Sequence, residues 1–242
     1  MKIAYLDCSS GVSGDMLLGA LVDGGVDIKF LRSGLQGLRI PFELKKDIVF
    51  KNQIRATKVD VIDKSNLAHH THRHLSDIKK IINSSSLSDN IKKKSLDIFE
   101  IVAEAESKVH GVPLGEIHFH EVGAVDSIVD IVGSVIGFEM LKAEKMYVSP
   151  LNVGKGYVKT AHGVLSIPAP ATSIILQNIP IYSDGTEGEL VTPTGAAIVK
   201  VMADSFINMP KIKIKWVSFG AGDMNLAIPN LLRIFFGESF NK

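Results

Sequence analysis

The opening of the chain constrains its fold more than any other stretch. Residues 2–6 (KIAYL) form an apolar run of the length of a short buried strand. A polar stretch rich in glycine and serine follows, from Asp7 to Gly14. Residues 15–22 then have helical character and stop at Gly24-Gly25, a strong C-terminal signal. Strand, polar loop and helix in immediate succession make the unit from which α/β proteins are built. At 242 residues the chain is long enough to bury a substantial core around that unit without disulfides or structural metals.

The rest of the chain extends this reading. Residues 42–62 alternate apolar and polar positions, which predicts two or three strands. At 65–74 (SNLAHHTHRH) the composition turns polar and histidine-rich. A helical pattern follows over about 75–110, with Ser76 and Ser88 as expected N-caps and Gly111 closing the second helix before Pro113. Residues 116–120 (EIHFH) read as a strand, and 126–142 as a strongly apolar helix. Strand-like segments lie near 146–151 and 154–159, with a turn at His162-Gly163. Helices are expected near 171–177, after Pro168-Ala169-Pro170, and near 195–204, after Thr192-Pro193-Thr194. Residues 211–218 alternate cleanly, 220–229 form a loop, and 231–236 a final strand. The expected fold class is therefore mixed α/β (α+β): a mixed sheet with flanking helices and an inserted helical hairpin. Residues 1–64 and 112–242 are expected to form the core domain, with 65–111 as a histidine-rich loop plus helical insertion.

Composition narrows the function. Apolar residues make up 45% of the chain and charged residues 22%, which excludes a wholly disordered or fibrous chain. The formal net charge is +1, so no global electrostatic attraction to nucleic acid is expected. A single cysteine, Cys8, rules out an intramolecular disulfide, a zinc ribbon and a CxxC redox motif. The N-terminal residues lack the apolar segment of a signal peptide, and no stretch approaches the roughly 18 apolar residues of a membrane span. These features predict a soluble chain in a reducing, cytoplasmic setting, with neither nucleic acid nor membrane as partner.

Several constellations carry chemistry. His69, His70, His72 and His74 crowd four imidazoles into one loop. Imidazole suits nickel, copper, zinc and iron, and its lone pair is free at neutral pH. A solvated polar loop is the bland alternative. Further on, His118 and His120 fall on one face of the expected strand, with Glu121 in the turn after it. Asp126 and Asp130 lie one helical turn apart, Asp130 among Ile128, Val129, Ile131 and Val132. A carboxylate so placed must be paired, hydrogen-bonded, ligating or at the edge of the apolar stripe. An N-cap role for Asp126 and a salt bridge for Asp130 remain open beside a functional one.

Anion-binding candidates are Ser9, Ser10, Gly11, Ser13 and Gly14 in the first loop, Lys155 between two glycines, and Thr192 and Thr194 before a helix. Plain turns and caps explain these residues equally well. The Walker and GxGxxG patterns are both absent from the first loop. Asp15 at its end is placed to cap the helix or hold a cation. Cys8, beside a helix start, is either an activated thiol or simply buried.

Taken together, these segments resemble the LarC family of nickel-insertion proteins. The matching stretches are DCSSGVSGDMLLGAL at 7–21, HHTHRHLSDI at 69–78, IHFHEVGAVDSIVDIVG at 117–133, HGVLSIPAPAT at 162–172, ELVTPTGAAI at 189–198 and GAGDMNLAIPNLLRIFFGE at 220–238. They keep a family-like order over essentially the whole chain. The last departs from the family pattern at Asp223-Met224-Asn225, where an arginine-aspartate pair usually follows the GAG.

The resemblance implies insertion of Ni(II) into pyridinium-3,5-bisthiocarboxylic acid mononucleotide, dependent on CTP with Mg(II) or Mn(II). The product is the nickel-pincer cofactor of lactate racemase. It also implies that His69, His70, His72 and His74 deliver nickel. His118, His120, Glu121, Asp126 and Asp130 match the most distinctive motif of the family. Longer members continue into a second domain associated with CTP, so this chain is expected to correspond to their N-terminal portion. Expected partners are the mononucleotide, the apo target enzyme and a separate chain carrying that domain, with a homo-oligomer left open.

Forming a nickel–carbon bond requires loss of a ring proton, so Glu121, Asp126 and Asp130 are candidate catalytic carboxylates. Two other readings compete. A non-catalytic nickel chaperone or storage module needs the histidine loop but not the 118–130 constellation. A metal-dependent phosphoester hydrolase turns over generic phosphoesters without CTP.

Overall fold

The computed structural model describes residues 1–65, 73–119, 122–160 and 162–240. Strand β1 (Lys2–Asp7) leads through the first loop into α1 (Gly14–Asp23) and then α2 (Ile28–Gln36). Strands β2 (Phe42–Lys51) and β3 (Ile54–Asp63) form a hairpin whose turn residues, Asn52 and Gln53, both have positive φ. That turn matches the right-handed twist of the paired strands. The middle of the chain contains β4 (Arg73–His74), α3 (Leu75–Asn83), α4 (Asp89–His110), β5 (His118–Phe119) and α5 (Val125–Leu141). It continues with β6 (Lys145–Val148), β7 (Leu151–Asn152), β8 (Gly154–Lys155), β9 (Tyr157–Thr160), β10 (Gly163–Ser166) and α6 (Pro170–Ile175). Last come β11 (Ile181–Tyr182), β12 (Gly188–Glu189), α7 (Pro193–Met202), β13 (Ser205–Phe206), β14 (Ile212–Ala221) and β15 (Leu231–Ser239).

Seven strands form one mixed sheet in the order β13-β6-β1-β15-β14-β3-β2. Strand β1 runs parallel to β6 and antiparallel to β15, the last strand of the chain. Strand β14 is antiparallel to β15 and parallel to β3. The fold is thus the mixed α/β class expected, and the first strand lies in the interior of the sheet.

Helix α1 packs across β3, β14 and β15, and α5 packs on α1. The approach of α1 to β14 is close: a Cβ on Gly220 would lie 1.9 Å from the Met16 carbonyl oxygen. On β15, Leu232, Ile234 and Phe236 are buried while Arg233 between them is exposed, the period-2 signature of a strand with one covered face. Leu17 and Leu21 of α1, Ile128 and Val132 of α5, Phe99 and Val102 of α4, and Ile198 of α7 share a single apolar cluster. Each such side chain stabilises the fold by roughly 1.5–3 kcal/mol through burial. The hairpin of α3 and α4 therefore adds to the main core.

The caps at Ser88 and Gly111 are as expected. The Ser88 hydroxyl accepts from the Ile91 N–H at 3.4 Å, and Gly111 is left-handed at φ 65°. Three local expectations are corrected. Helix α3 begins at Leu75 with His74 as N-cap, which puts Ser76 inside the first turn. The Asp77 carboxylate accepts from the His74 N–H at 3.1 Å and so fixes the earlier start. Helix α5 begins at Val125 with Ala124 as N-cap, so Asp126 is a first-turn residue and not the cap. The strand expected at 116–120 starts only at His118 and, among the described residues, covers His118–Phe119. Leu114–Glu116 instead forms a 3₁₀ turn closed by the Glu116 N–H on the Pro113 carbonyl at 2.9 Å.

Candidate functional site

Three helices begin around one cavity of about 320 Å³. Helix α1 contributes Ser13, Gly14 and Asp15 at its start, α5 contributes Asp126 and Asp130, and α7 contributes Thr192 and Thr194. Strand β3 adds Lys58 and Asp60, β12 adds Glu189, and the turn after β14 adds Asp223. Helix N-termini carry partial positive charge, which favours carboxylates such as Asp15 and Asp126 in the first turn. Thr192 caps α7, accepting the Gly195 N–H at 3.1 Å.

Lys58 is only 8% exposed in its side chain. Its ammonium donates to Asp15, lies 2.8 Å from Asp223 Oδ1 and 3.6 Å from Asp60 Oδ1. Burial works against its charge, but Asp15 and Asp223 outweigh that penalty and raise its pKa. The lysine is thus a fixed internal counter-ion for one side of the cavity.

Asp130 differs. Its Oδ1 is shielded from solvent and has no hydrogen-bond partner among the described residues. Burial, then the nearby Asp15 and Asp126, push its pKa well above the usual carboxylate range, with Lys58 opposing. The carboxyl is pressed against α1: a Cβ on Gly14 would lie 2.4 Å from Asp130 Oδ2. Gly14 therefore makes room for a carboxyl group, a role its place in a glycine-rich loop does not reveal.

One histidine of each constellation, His74 and His118, meets the other on a short ladder. Strands β4 and β5 pair antiparallel, placing His74 opposite His118 and Arg73 opposite Phe119. The imidazole centroids are 3.9 Å apart. His74 Nδ1–H donates to the Ile117 carbonyl at 3.0 Å, which leaves Nε2 with its lone pair. Arg73 donates to the Gly123 carbonyl at 2.7 Å and so ties the ladder to the turn that begins α5. Val122 and Asp126 on that turn and helix line the acidic cavity. The expected ligands His69, His70, His72 and His120 and the expected catalytic Glu121 lie outside the described residues. Among the described residues, no group of three or more histidine, cysteine or acidic side chains is arranged to hold a metal.

The expected anion-binding residues separate. Ser13, Gly14, Thr192 and Thr194 face the cavity, whereas Ser9 and Ser10 line a different groove with Asp184 and Arg233. Three N–H groups of the first loop are already committed: Ser9 to Asp7 Oδ1 at 3.0 Å, Gly11 to the Cys8 carbonyl and Val12 to the Leu190 carbonyl, both at 2.9 Å. Lys155 is exposed on β8, paired with β12. Cys8 is fully buried, and burial together with Asp7 drives its thiol pKa up, so it is a packing residue. Sequence reasoning missed Lys58 and Asp60, because alternating charge on a strand reads as a solvated face.

A mixed sheet with helices starting around a carboxylate cavity, beside an imidazole pair, defines an α/β protein with a polar, cation-attracting site. The chain belongs to the nickel insertion protein family, whose sequence profile matches residues 4–242. It is 55% identical over 239 residues to the pyridinium-3,5-bisthiocarboxylic acid mononucleotide nickel insertion protein of Desulfitobacterium hafniense (strain DSM 10664 / DCB-2), covering 98% of this chain and 59% of that protein. Proteins with the same name from Clostridium kluyveri and Geobacillus kaustophilus are 46% and 45% identical, each over 98% of this chain and over 62% and 60% of their own lengths. The chain thus spans about three fifths of the length of these relatives. No solved structure matches it.

Proposed function

We propose that this chain takes up Ni(II) and takes part in its insertion into pyridinium-3,5-bisthiocarboxylic acid mononucleotide. The observation that carries this reading is the pairing of His74 with His118 on a ladder anchored to the start of α5, whose Asp126 and Asp130 enter the cavity. Nickel is a substrate here. In this reading His69, His70 and His72 capture it, and His74, His118 and His120 hold it for transfer.

Insertion breaks a ring C–H bond. Its electron pair passes to the new Ni–C bond, and the proton must go to a base. Asp130 is the acceptor we assign. Its raised pKa makes its carboxylate a better proton acceptor than an ordinary aspartate. Asp126, exposed at the start of α5, passes the proton outward. Glu121, adjoining that turn in sequence, is a second carboxylate for the same relay.

The triphosphate of CTP does not fit this cavity. A triphosphate needs uncommitted cations, and the ammonium here, Lys58, is shared among Asp15, Asp60 and Asp223. We derive no step through the nucleotide.

The test is Ni(II) titration of the 242-residue chain, followed by metal transfer to the mononucleotide in the presence of CTP and Mg(II) or Mn(II). Alanine at both His74 and His118 is expected to weaken nickel binding about tenfold or more. Asp130→Asn is expected to leave nickel binding intact and stop transfer. Full transfer by either variant would overturn the assignment of that group.

A further inference from the structure

Lys58 marks a place where this protein already holds a cation. Its ammonium donates to Asp15 Oδ2, lies 2.8 Å from Asp223 Oδ1 and 3.6 Å from Asp60 Oδ1. Carboxylates from the start of α1, from β3 and from the turn after β14 thus converge on one point. One positive charge among three negative ones leaves that point under-neutralised. Two of the carboxylates are positioned by groups other than Lys58. The Ser13 hydroxyl donates to Asp15 Oδ1. The turn carrying Asp223 is pinned by the Lys51 ammonium on the Met224 carbonyl at 3.0 Å and by the Met224 N–H on Asn230 Oδ1 at 3.1 Å. A second observation lies in the same cavity: Asp130 Oδ1 is shielded from solvent and has no hydrogen-bond partner among the described residues. Asp15 and Asp223 also line a second cavity of about 400 Å³, together with Tyr157 and Lys159. They can therefore be approached from a side that Lys58 does not line.

We propose that Asp15, Asp60 and Asp223 form an exchange site for a hard divalent cation of the Mg(II) or Mn(II) class, closed by Lys58 in the metal-free chain. The inference goes beyond the nickel reading, which uses imidazoles for a different ion. As they stand, the three carboxylates surround an ammonium and are not arranged to hold a metal. Mg(II) needs its oxygens at about 2.0–2.1 Å, so the ion must take the place of the ammonium and draw the carboxylates inward. Donor chemistry favours the exchange, because oxygen-only ligands suit Mg(II) and Mn(II). Charge favours it too. A dication attracts each carboxylate about twice as strongly as an ammonium at the same distance. Mg(II) keeps several of its waters, and the acidic cavity of about 320 Å³ has room for them at about 30 Å³ each. One such water gives Asp130 Oδ1 the donor it lacks. The displaced ammonium stays tethered to β3 and turns toward solvent.

The test is Mn(II) binding to the nickel-free 242-residue chain, read as loss of the free-ion electron paramagnetic resonance signal. Lys58→Met removes the competing cation and is expected to bind Mn(II) about tenfold more tightly than the wild type. Adding Asp223→Asn to that variant is expected to abolish the gain. The Asp223 side chain is 84% exposed, so this second change leaves the fold intact. A second measurement needs no variant. The rate at which an amine-reactive ester acylates Lys58, mapped by mass spectrometry, is expected to rise severalfold in saturating Mg(II), because the ion sets the amine free. This labelling decides the matter if Lys58→Met fails to fold. Mn(II) binding to Lys58→Met no tighter than to the wild type overturns the site, as does a gain that survives Asp223→Asn. Lys58 labelling unchanged by Mg(II) overturns the exchange. None of these measurements involves nickel, so failure of the nickel reading leaves the proposal untouched.

Discussion

Asp130 and Lys58 are two ionisable residues whose charged forms are disfavoured by burial. Asp130 faces Asp15, Asp126, Asp223 and Lys58, and its folded pKa lies above the unfolded value of about 3.9. The folded state then holds the proton more tightly than the unfolded one. That contribution is fully present below the unfolded pKa and is lost as pH rises through the folded pKa. Asp130→Asn keeps the shape and removes the titration. Its melting temperature should exceed that of the wild type by an amount that grows from acidic to neutral pH, measured by calorimetry across that range. A pH-independent difference would mean Asp130 ionises freely in the fold.

Lys58 invites the opposite experiment. Lys58→Met leaves Asp15, Asp60 and Asp223 without their shared cation; because Asp60 and Asp223 face solvent, the loss should fall between the roughly 1 kcal/mol of an exposed pair and the roughly 3–5 kcal/mol of a buried one. Millimolar Mn(II) should recover part of that loss in the variant and add less to the wild type, read as thermal shifts. The buried lysine was not legible in the sequence. In Lys58-Val59-Asp60 the charges alternate as they do on any solvated strand face, and the packing of α1 and α5 over β3 buries Lys58 while Asp60 keeps a partly exposed carboxylate.

The element scale shows where local signals suffice. Ser88, Gly111 and Thr192 act where the sequence places them, because a cap hydroxyl or a left-handed glycine is chosen by backbone within a few residues. Thr192→Ala should therefore cost about 1 kcal/mol of stability in denaturant titration. The start of α3 was misplaced by local reading, since β4 delivers His74 in extended conformation and Asp77 completes the cap. The start of α5 follows the same logic, its entry held by Arg73 on the Gly123 carbonyl. Gly14 belongs at this scale too. Gly14→Ala drives a Cβ into the Asp130 carboxyl, so it should destabilise by about 1–3 kcal/mol and alter metal transfer as well. Combining it with Asp130→Ala, which removes the carboxyl but leaves the Cβ of residue 130 at 2.7 Å from the new methyl, should recover only part of the stability and none of the transfer.

At the scale of the whole molecule, the decisive event is long-range convergence. Residues 73–74 and 118–119 pair although α3 and α4 lie between them in the chain. His74 at the end of the loop and His118 of the later motif thus come into contact. Replacing only His74, or only His118, should reduce nickel affinity with strong non-additivity in the double variant, because the two rings are in contact. Additive effects in a double-mutant cycle would place them in separate sites.

Much of this protein was written in local pattern. The opening strand–loop–helix, the paired strands of residues 42–62, the helical hairpin and the motifs shared with nickel-insertion proteins all follow from periodicity, turn chemistry and residue types that act within a few positions of one another. The sequence also placed Asp126 and Asp130 a helical turn apart. Only the tertiary structure decided that Asp130 Oδ1 has no hydrogen-bond partner among the described residues, that Lys58 is buried beside three aspartates, and that Tyr157 and Lys159 line a cavity that shares Asp15 with the acidic one. Those properties depend on solvent exclusion and on charges brought together by distant segments, and neither is encoded in the spacing of neighbours along a chain.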